Sequence, residues 1–518
     1  MVKIVLPASP GRPAPVLAAV CLAALALPLS FSGGALATPA IGRELAGSPV
    51  ALNWITNAFM LTFGSLLMAA GTLADRFGRR RVFAIGVGGF ALCSLVLCIA
   101  PSLLVLDLLR ALQGIAAAAA LAGGTAALAQ EFDGPGRTRA FSLLGTTFGL
   151  GLAFGPVLAG FLIERAGWRA VFATGAVTGV LVLAFGVPRM RESRDPDAHG
   201  IDRAGIATFT GALTCFTFGM IQSADGGWAS PVVIALLAAT VVLAAAFWAV
   251  EANAARPMLD LTLFRYPRFI GVQLLPVATC YSYIVLLVVL PLRLVGIDGF
   301  STIEAGGLMI ALSAPMLVVP LVAAGLTRWM SAGVISALGL LIAAAGLYWL
   351  NVALRGGANG GAIGPLLMIG VGAGMPWGLM DGLSVSVVPT ERAGMATGIF
   401  GTVRVAGECI ALATVNAALA ALMHARIAAI AGEPSAAATW RAAARLATGD
   451  PGGASALLPQ VDRLALLRIH ADAFGMLLQG LTVVTLACAV IVFLVLGRPR
   501  ADALLPARAR DGAGERVR

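Results

Sequence analysis

Apolar windows of about 20 consecutive residues, the length a helix needs to cross the hydrocarbon core of a bilayer, recur along nearly the whole chain. About fourteen such spans are predicted, near 16–39, 50–70, 82–100, 103–131, 139–164, 169–188, 203–223, 230–250, 269–292, 303–325, 331–352, 363–388, 394–421 and 472–496. Composition agrees: of 518 residues 59% are hydrophobic and 12% charged, and mean hydropathy is +0.93. A soluble domain of any fold is far more polar. The expected fold class is an all-α membrane protein with the lipid bilayer as its solvent.

The stretch from Gly71 to Arg81 places Asp75 and the arginines Arg76, Arg79, Arg80 and Arg81 between two long apolar runs. Arginine is expensive in hydrocarbon and biased toward the cytoplasm, so this reads as a short cytoplasmic hinge that fixes the topology of its neighbours. Gly71 and Gly78 are expected to let the flanking helices approach closely. Arginines fill the loops of alternate parity, including Arg137, Arg189, Arg191, Arg203, Arg256, Arg328 and Arg392, and are sparse in the others. Both termini are therefore expected in the cytoplasm, with the basic tail from Arg498 in agreement. Residues 422–471 form a long external loop on this reading.

The net charge of +10 is almost wholly arginine, Lys3 being the only lysine. Because the arginines sit in short loops rather than along one face, the charge marks topology and not a nucleic-acid partner. All seven cysteines lie in apolar runs, so neither a disulfide framework nor a zinc spacing follows. The first apolar stretch is too long for a cleaved secretory signal and is read as a retained span.

A weak internal repeat divides the chain. Ala69-Ala70-Gly71 closes span 2 and Ala323-Ala324-Gly325 closes span 10, an offset of 254 residues (325 − 71). The same offset carries the starts near 16, 103 and 139 to within a few residues of the starts of spans 9, 12 and 13. Two related six-helix bundles are expected, residues 1–190 and 266–498, with two inserted spans within 191–265 and a cytoplasmic tail at 499–518. Repeated-bundle transporters place the substrate path between the halves.

Four local patterns carry a resemblance. They are the Gly71–Arg81 hinge, Leu109-Arg110-Ala111-Leu112-Gln113-Gly114 in span 4, and Gly151-Leu152-Ala153-Phe154-Gly155-Pro156-Val157-Leu158-Ala159-Gly160 in span 5, followed by Gly167-Trp168-Arg169. The fourth is Arg256-Pro257-Met258-Leu259-Asp260-Leu261 before span 9. Together they resemble the major facilitator superfamily, and within it the fourteen-span drug:proton antiporter branch that includes many multidrug exporters. The resemblance covers nearly the whole chain. It implies a gating role for the hinge, a link between the span 5 bend and export direction, and participation of Arg110 in coupling.

Physics gives each pattern a task and a plainer alternative. Asp75 and Arg79, four residues apart, form a charge-paired latch or merely mark topology. Gly151, Gly155 and Gly160 give span 5 a small-residue surface, and Pro156 removes a backbone donor and favours a bend; ordinary tight packing accounts for the same residues. An ionisable group at midplane costs roughly 2.5–3.5 kcal/mol on insertion scales, so the few present invite attention: Asp381, Arg404, Glu408, and the Asp107–Arg110 pair. Arg404 and Glu408 are four apart and are expected to pair. Burial favours the neutral acid and a nearby arginine the anion, a conflict that suits a proton switch; a purely structural pair is the alternative. Trp54, Asn57, Phe63, Phe148, Phe154, Tyr281 and Trp377 are candidates to line a cavity for flat apolar ligands or cations, or are packing and interfacial residues.

Three departures from the branch stand out: Ser30 occupies the place of an acid common in span 1, the span 4 motif lacks its following proline, and Ala159 replaces a second glycine. The first weakens a multivalent-cation reading. The leading expectation is a proton-coupled secondary transporter, in the bacterial inner membrane, exporting lipophilic or cationic small molecules by alternating access. Export of an endogenous metabolite, lipid or natural product on the same fold is the alternative, and a non-transporting membrane sensor is a distant third. An enzyme is not expected, because His199, His424 and His470 are isolated. Gly370, Gly372 and Gly374 lie within an apolar helix and do not form a phosphate cradle. No cofactor or ATP site is implied, so energy comes from an ion gradient; a periplasmic adaptor is left unspecified.

Overall fold

The computed structural model describes residues 13–132, 134–194, 202–254, 259, 261–355, 361–387, 393–430 and 436–497. Among them are fourteen helices long and apolar enough to cross a membrane, here spans 1 to 14 in chain order. They are Pro13–Leu45, Ala51–Phe77, Arg79–Leu97, Leu103–Glu131, Leu143–Ala166, Arg169–Arg189, Arg203–Ser223, Pro231–Asn253, Pro267–Gly296, Thr302–Leu326, Ala332–Arg355, Ile363–Ser384, Ile399–Ile430 and Arg463–Leu496. Each overlaps its predicted window. Starts are set by local chemistry: Ser48 with Pro49 caps span 2 by accepting the Ala51 N–H, Ser102 caps span 4, and Ser301 with Glu304 forms a reciprocal capping box on span 10.

Spans 1–6 pack on one another and spans 9–14 do the same, giving two six-helix bundles. The bundles meet through span 2 against span 13, span 5 against span 10, and span 1 against span 9. Inserted span 7 lies against both spans 2 and 13 and closes one flank of this seam, with Thr217 at 3.4 Å from the Cys409 Sγ. Span 8 packs on span 7 and otherwise keeps its apolar surface outward, as a lipid-facing helix does.

Two differences from the sequence reading concern the far ends. The segment 422–471 is not a plain loop: span 13 continues to Ile430, a helix runs over Ala436–Ala447, another over Pro451–Leu457, and span 14 already begins at Arg463. Trp440 of the first short helix stacks on His424 with ring centroids 3.9 Å apart and presses against Gly227, whose φ of 76° suits a residue without a Cβ. His199, Arg256–Met258, Asp260, Arg392 and the tail from Arg498 lie outside the described residues, and of Arg137 and Ala153 no side-chain placement is described.

The seam is tight at the end away from the hinge and in the middle, and is less closely packed at Gly71 and Gly145 toward the hinge. At the far end Asn416 donates to Asn53 at 3.2 Å, and Glu164 accepts the Ile303 N–H at 2.9 Å. A Cβ on Gly160 would lie 2.6 Å from the Thr302 carbonyl oxygen, one on Gly306 2.9 Å from the Pro156 carbonyl oxygen, and one on Gly64 2.9 Å from the Ala406 nitrogen. Two turns beyond Gly64, a Cβ on Gly71 would meet nothing within 4 Å, and the same holds for Gly145, one turn beyond Gly149. The close approach expected at Gly71 is therefore not made at that residue, although Met68, one turn before it, still packs on Leu263, Phe269 and Ile399.

Candidate functional site

The hinge charges pair within the first bundle. Arg79 donates through Nε and Nη2 to Asp75 Oδ1 at 3.0 and 2.9 Å, and through Nη1 to Gln130 of span 4 at 3.1 Å. Gly78, at φ 114°, makes the turn between spans 2 and 3. The Glu192 carboxylate fills the space beside it, accepting the Arg80 N–H at 3.2 Å and lying 3.5 Å from Arg81. Glu192 was not singled out in the sequence, since it follows span 6 and reaches the hinge only through the fold. Arg76 is exposed, with its guanidinium over the adjacent Phe77 ring.

Span 5 shows why its glycines are spaced as they are. A Cβ on Gly151 would strike Pro28 and one on Gly155 would strike Ser32, so these two seat span 5 on span 1, whereas Gly160 faces span 10 across the seam. The helix continues through Pro156. Where Ala159 replaces a glycine, the missing space is supplied opposite by Gly33 of span 1, on which a Cβ would lie 3.5 Å from the Ala159 Cβ. Trp168 and Arg169 both donate to Glu44, at 2.7 and 2.6 Å, binding the turn after span 5 to the end of span 1.

Arg110 is fully buried. Its Nε donates to the Ile55 carbonyl at 2.8 Å, and its Nη1 donates to Ser30 Oγ at 2.9 Å and to Gln113 Oε1 at 2.6 Å; Gln113 in turn donates to Ser94. The guanidinium lies 4.5 Å from the Phe59 ring centroid. The expected Asp107–Arg110 ion pair is not formed: Arg110 turns toward spans 1 and 2, and Asp107 Oδ1 and Arg110 Nη2 are both buried without a hydrogen-bond partner. Ser30 thus meets the arginine at the position where the resemblance led one to expect an acid.

Arg404 and Glu408 do not pair either. Arg404 reaches to span 12, where Nη1 lies 3.5 Å from Asp381 Oδ1, while Glu408, one turn on, faces the seam. There it lines a narrow apolar cavity with Leu27, Pro28 and Phe31 of span 1, Phe59, Met60 and Phe63 of span 2, and Phe148 and Leu152 of span 5. The open space is about 10 Å³, room for about one water. Glu408 is 4% exposed and has no ion-pair partner among the described residues. An i,i+4 spacing permits a pair but does not compel it, and here a neighbouring helix offers Arg404 an acid closer to the open end.

Of the seven cavity candidates, Phe63 and Phe148 line this space, and Trp377 lies behind Arg404 with its ring centroid 6.0 Å from the guanidinium. Trp54 instead packs on Phe218 of inserted span 7. Asn57 is buried and donates to the Asn53 carbonyl, and Tyr281 packs at the edge of the second bundle's core. Phe154 is on the outer face of span 5, in an exposed stripe with Leu158 and Phe161; the glycine face of the same helix takes the packing side. Phe31 and Met60, which no sequence pattern marked, line the cavity with Glu408.

The model of the Major Facilitator Superfamily matches residues 18–412. The chain is 30% identical over 393 residues to the tetracenomycin C resistance and export protein of Streptomyces glaucescens, covering 75% of this chain and 72% of that protein. It is 29% identical over 394 residues to the multidrug resistance protein Stp of Mycobacterium tuberculosis, covering 76% and 73%. Among solved structures, a bacterial homologue of the human lysosomal transporter Spinster, in an inward-facing and unoccupied conformation, superposes with a TM-score of 0.61 at 16% identity, covering 94% of this chain and 98% of that one.

Proposed function

Taking as premise that this chain belongs to the Major Facilitator Superfamily, a multi-pass membrane transporter of small molecules, we propose that it exports lipophilic compounds from the cytoplasm in exchange for protons. The hinge end is assigned to the cytoplasm by its arginines, and both termini with it; the looser packing at Gly71 and Gly145 then lies on the cytoplasmic side. The membrane is the bacterial inner membrane, in keeping with the bacterial sources of the relatives.

Glu408 carries the coupling proposal. It is a carboxyl group in an apolar cavity at the junction of both bundles, with room for about one water. A group so placed changes its water access when the bundles rock. In the inward-opening arrangement it is reached past Arg404 and Asp381; with the seam parted at the Asn53–Asn416 end it is reached from outside. The proton is taken up there and released inward, and substrate moves the opposite way. Gly160 and Gly306 let the bundles close backbone to backbone, and the Asp75–Arg79–Gln130 network with Glu192 keeps the hinge end of the first bundle rigid as it swings.

The test is dye uptake into inverted vesicles with and without an imposed proton gradient. Wild type is expected to accumulate dye only with the gradient, and Glu408→Gln to lose the gradient-driven component, by about tenfold or more. Equal gradient-driven uptake by Glu408→Gln removes this acid from the coupling step. Uptake by wild type that ignores the gradient removes proton exchange itself.

A further inference from the structure

Span 10 begins at the closed end of the seam, and its cap is incomplete within its own bundle. Of the N–H groups that a helix leaves free in its first turn, that of Glu304 is taken by Ser301 Oγ at 3.2 Å, and the Glu304 carboxylate in return takes the Ser301 N–H at 2.9 Å. The Ile303 N–H is answered from the other bundle, by Glu164 Oε1 at 2.9 Å, which also accepts from Thr302 Oγ1 at 3.3 Å. Gly160, one turn before Glu164 on span 5, brings the backbones close enough for this reach: a Cβ there would lie 2.6 Å from the Thr302 carbonyl oxygen. The neighbouring charges are engaged elsewhere. Arg169 binds Glu44, Arg293 binds Asp298, and Arg165 lies over the Phe161 ring. Among the described residues, the positive end of span 10 is therefore the partner of the Glu164 carboxylate.

The internal offset of 254 residues carries span 2 onto span 10 and span 5 onto span 13, so the two outer contacts of the seam are counterparts. On one flank Asn416 donates to Asn53, a neutral amide pair; on the other the contact is charged and exposed. From this asymmetry we infer that Glu164 is the external clasp of the transporter. Its carboxylate caps span 10 only while the outer end is shut, so its charge weights the rocking of the bundles toward closure outside. Glu164 and Ile303 are both exposed. On opening, each recovers water, and the clasp biases the equilibrium without locking it. The inference rests on the alternating-access reading of the fold but not on Glu408 or on proton exchange.

Hydrogen–deuterium exchange of the purified full-length protein in detergent, with no gradient and no dye, tests the clasp apart from the coupling step. Glu164→Gln retains an acceptor and loses the charge; Glu164→Ala loses both. Backbone exchange around Ile303 and, on the opposite flank, around Asn53 and Asn416 is expected to rise about two- to fivefold in Glu164→Gln and further in Glu164→Ala. Exchange around Gly71, at the hinge end, is expected to slow in both. Glu44→Gln removes a carboxylate at the same end whose partners, Trp168 and Arg169, belong to the first bundle, and should leave exchange around Ile303 and Asn416 as in the parent. Faster exchange confined to the first turn of span 10 makes Glu164 a local cap only and overturns the assignment. So does parental exchange at every site in either Glu164 variant, or an equal effect from Glu44→Gln.

Discussion

Arg110 and Arg404 are the same side chain set into spans 4 and 13 of opposite bundles, and their surroundings could hardly differ more. Arg110 is sealed from solvent and spends its donors on Ser30, Gln113 and a backbone carbonyl, tying spans 1, 2 and 4 together. Arg404 keeps one long contact, to an Asp381 carboxylate that is itself largely exposed. The first is held firmly by the protein; the second only loosely. A buried charge in a membrane protein is thus not one kind of feature, and the count of satisfied donors, more than depth, separates scaffold from site.

The sharpest way to break this contrast is to remove each arginine and measure stability. Arg110→Ala leaves three acceptors without their donor and a void against Phe59, each loss costing about 1–3 kcal/mol, so a drop of about 3 kcal/mol or more is expected in unfolding of the detergent-solubilised protein. Arg404→Ala forfeits one long contact and its packing beside Phe148, Phe400 and Trp377, about 1–2 kcal/mol in all. Equal losses in the two variants would mean that the hydrogen bonds around Arg110 do not hold the first bundle together.

A second test probes the seam itself, where glycine is required at one end and indifferent at the other. Gly160→Ala places a methyl against the Thr302 carbonyl oxygen, at 2.6 Å from an ideal Cβ, and overpacking of this kind costs about 1–3 kcal/mol. Since the clash exists only when the far end is closed, the expected result is a shift toward the outward-opening state, read as reduced cross-linking between cysteines introduced at Asn53 and Asn416. Gly145→Ala meets nothing within 4 Å and should cross-link as the parent does. Indistinguishable yields would show that closure is not governed by backbone contact at Gly160.

Span positions were legible in the sequence because they depend on local length and hydropathy, and the motifs were legible because glycine and arginine are costly to misplace in lipid. Pairings across helices were not. Spacing offered Arg404 a partner at Glu408 and Arg110 a partner at Asp107, but the choice fell to Asp381 and Ser30, which are distant in sequence. Phe154 was misread for a related reason: the motif names the glycines, and only the packed bundle reveals that Gly151 and Gly155 face span 1, Gly160 faces span 10, and the phenylalanine turns outward. The start of span 14 at Arg463 was hidden because its first turns are amphipathic, packing against the short helices over 436–457 in place of lipid.

The smallest expected effect is also the most discriminating between the two arginines. Ser30 Oγ stands 2.9 Å from Arg110 Nη1, and Nη2 beside it has no partner, so Ser30→Asp offers a carboxylate to a cation that is already desolvated. Having paid for burial of the arginine, the protein gains a charge-assisted pair at the further cost of burying one acid; a net gain of about 1 kcal/mol in stability is expected. The consequence for ligands separates two meanings of the missing acid. If Ser30 merely completes the scaffold, the added carboxylate is absorbed by Arg110 behind the Phe59 ring, and uptake of cationic relative to neutral dyes stays as in the parent. If the cavity instead senses this charge, uptake shifts toward cationic dyes, and the division between a sealed arginine and a loosely held one would have to be abandoned.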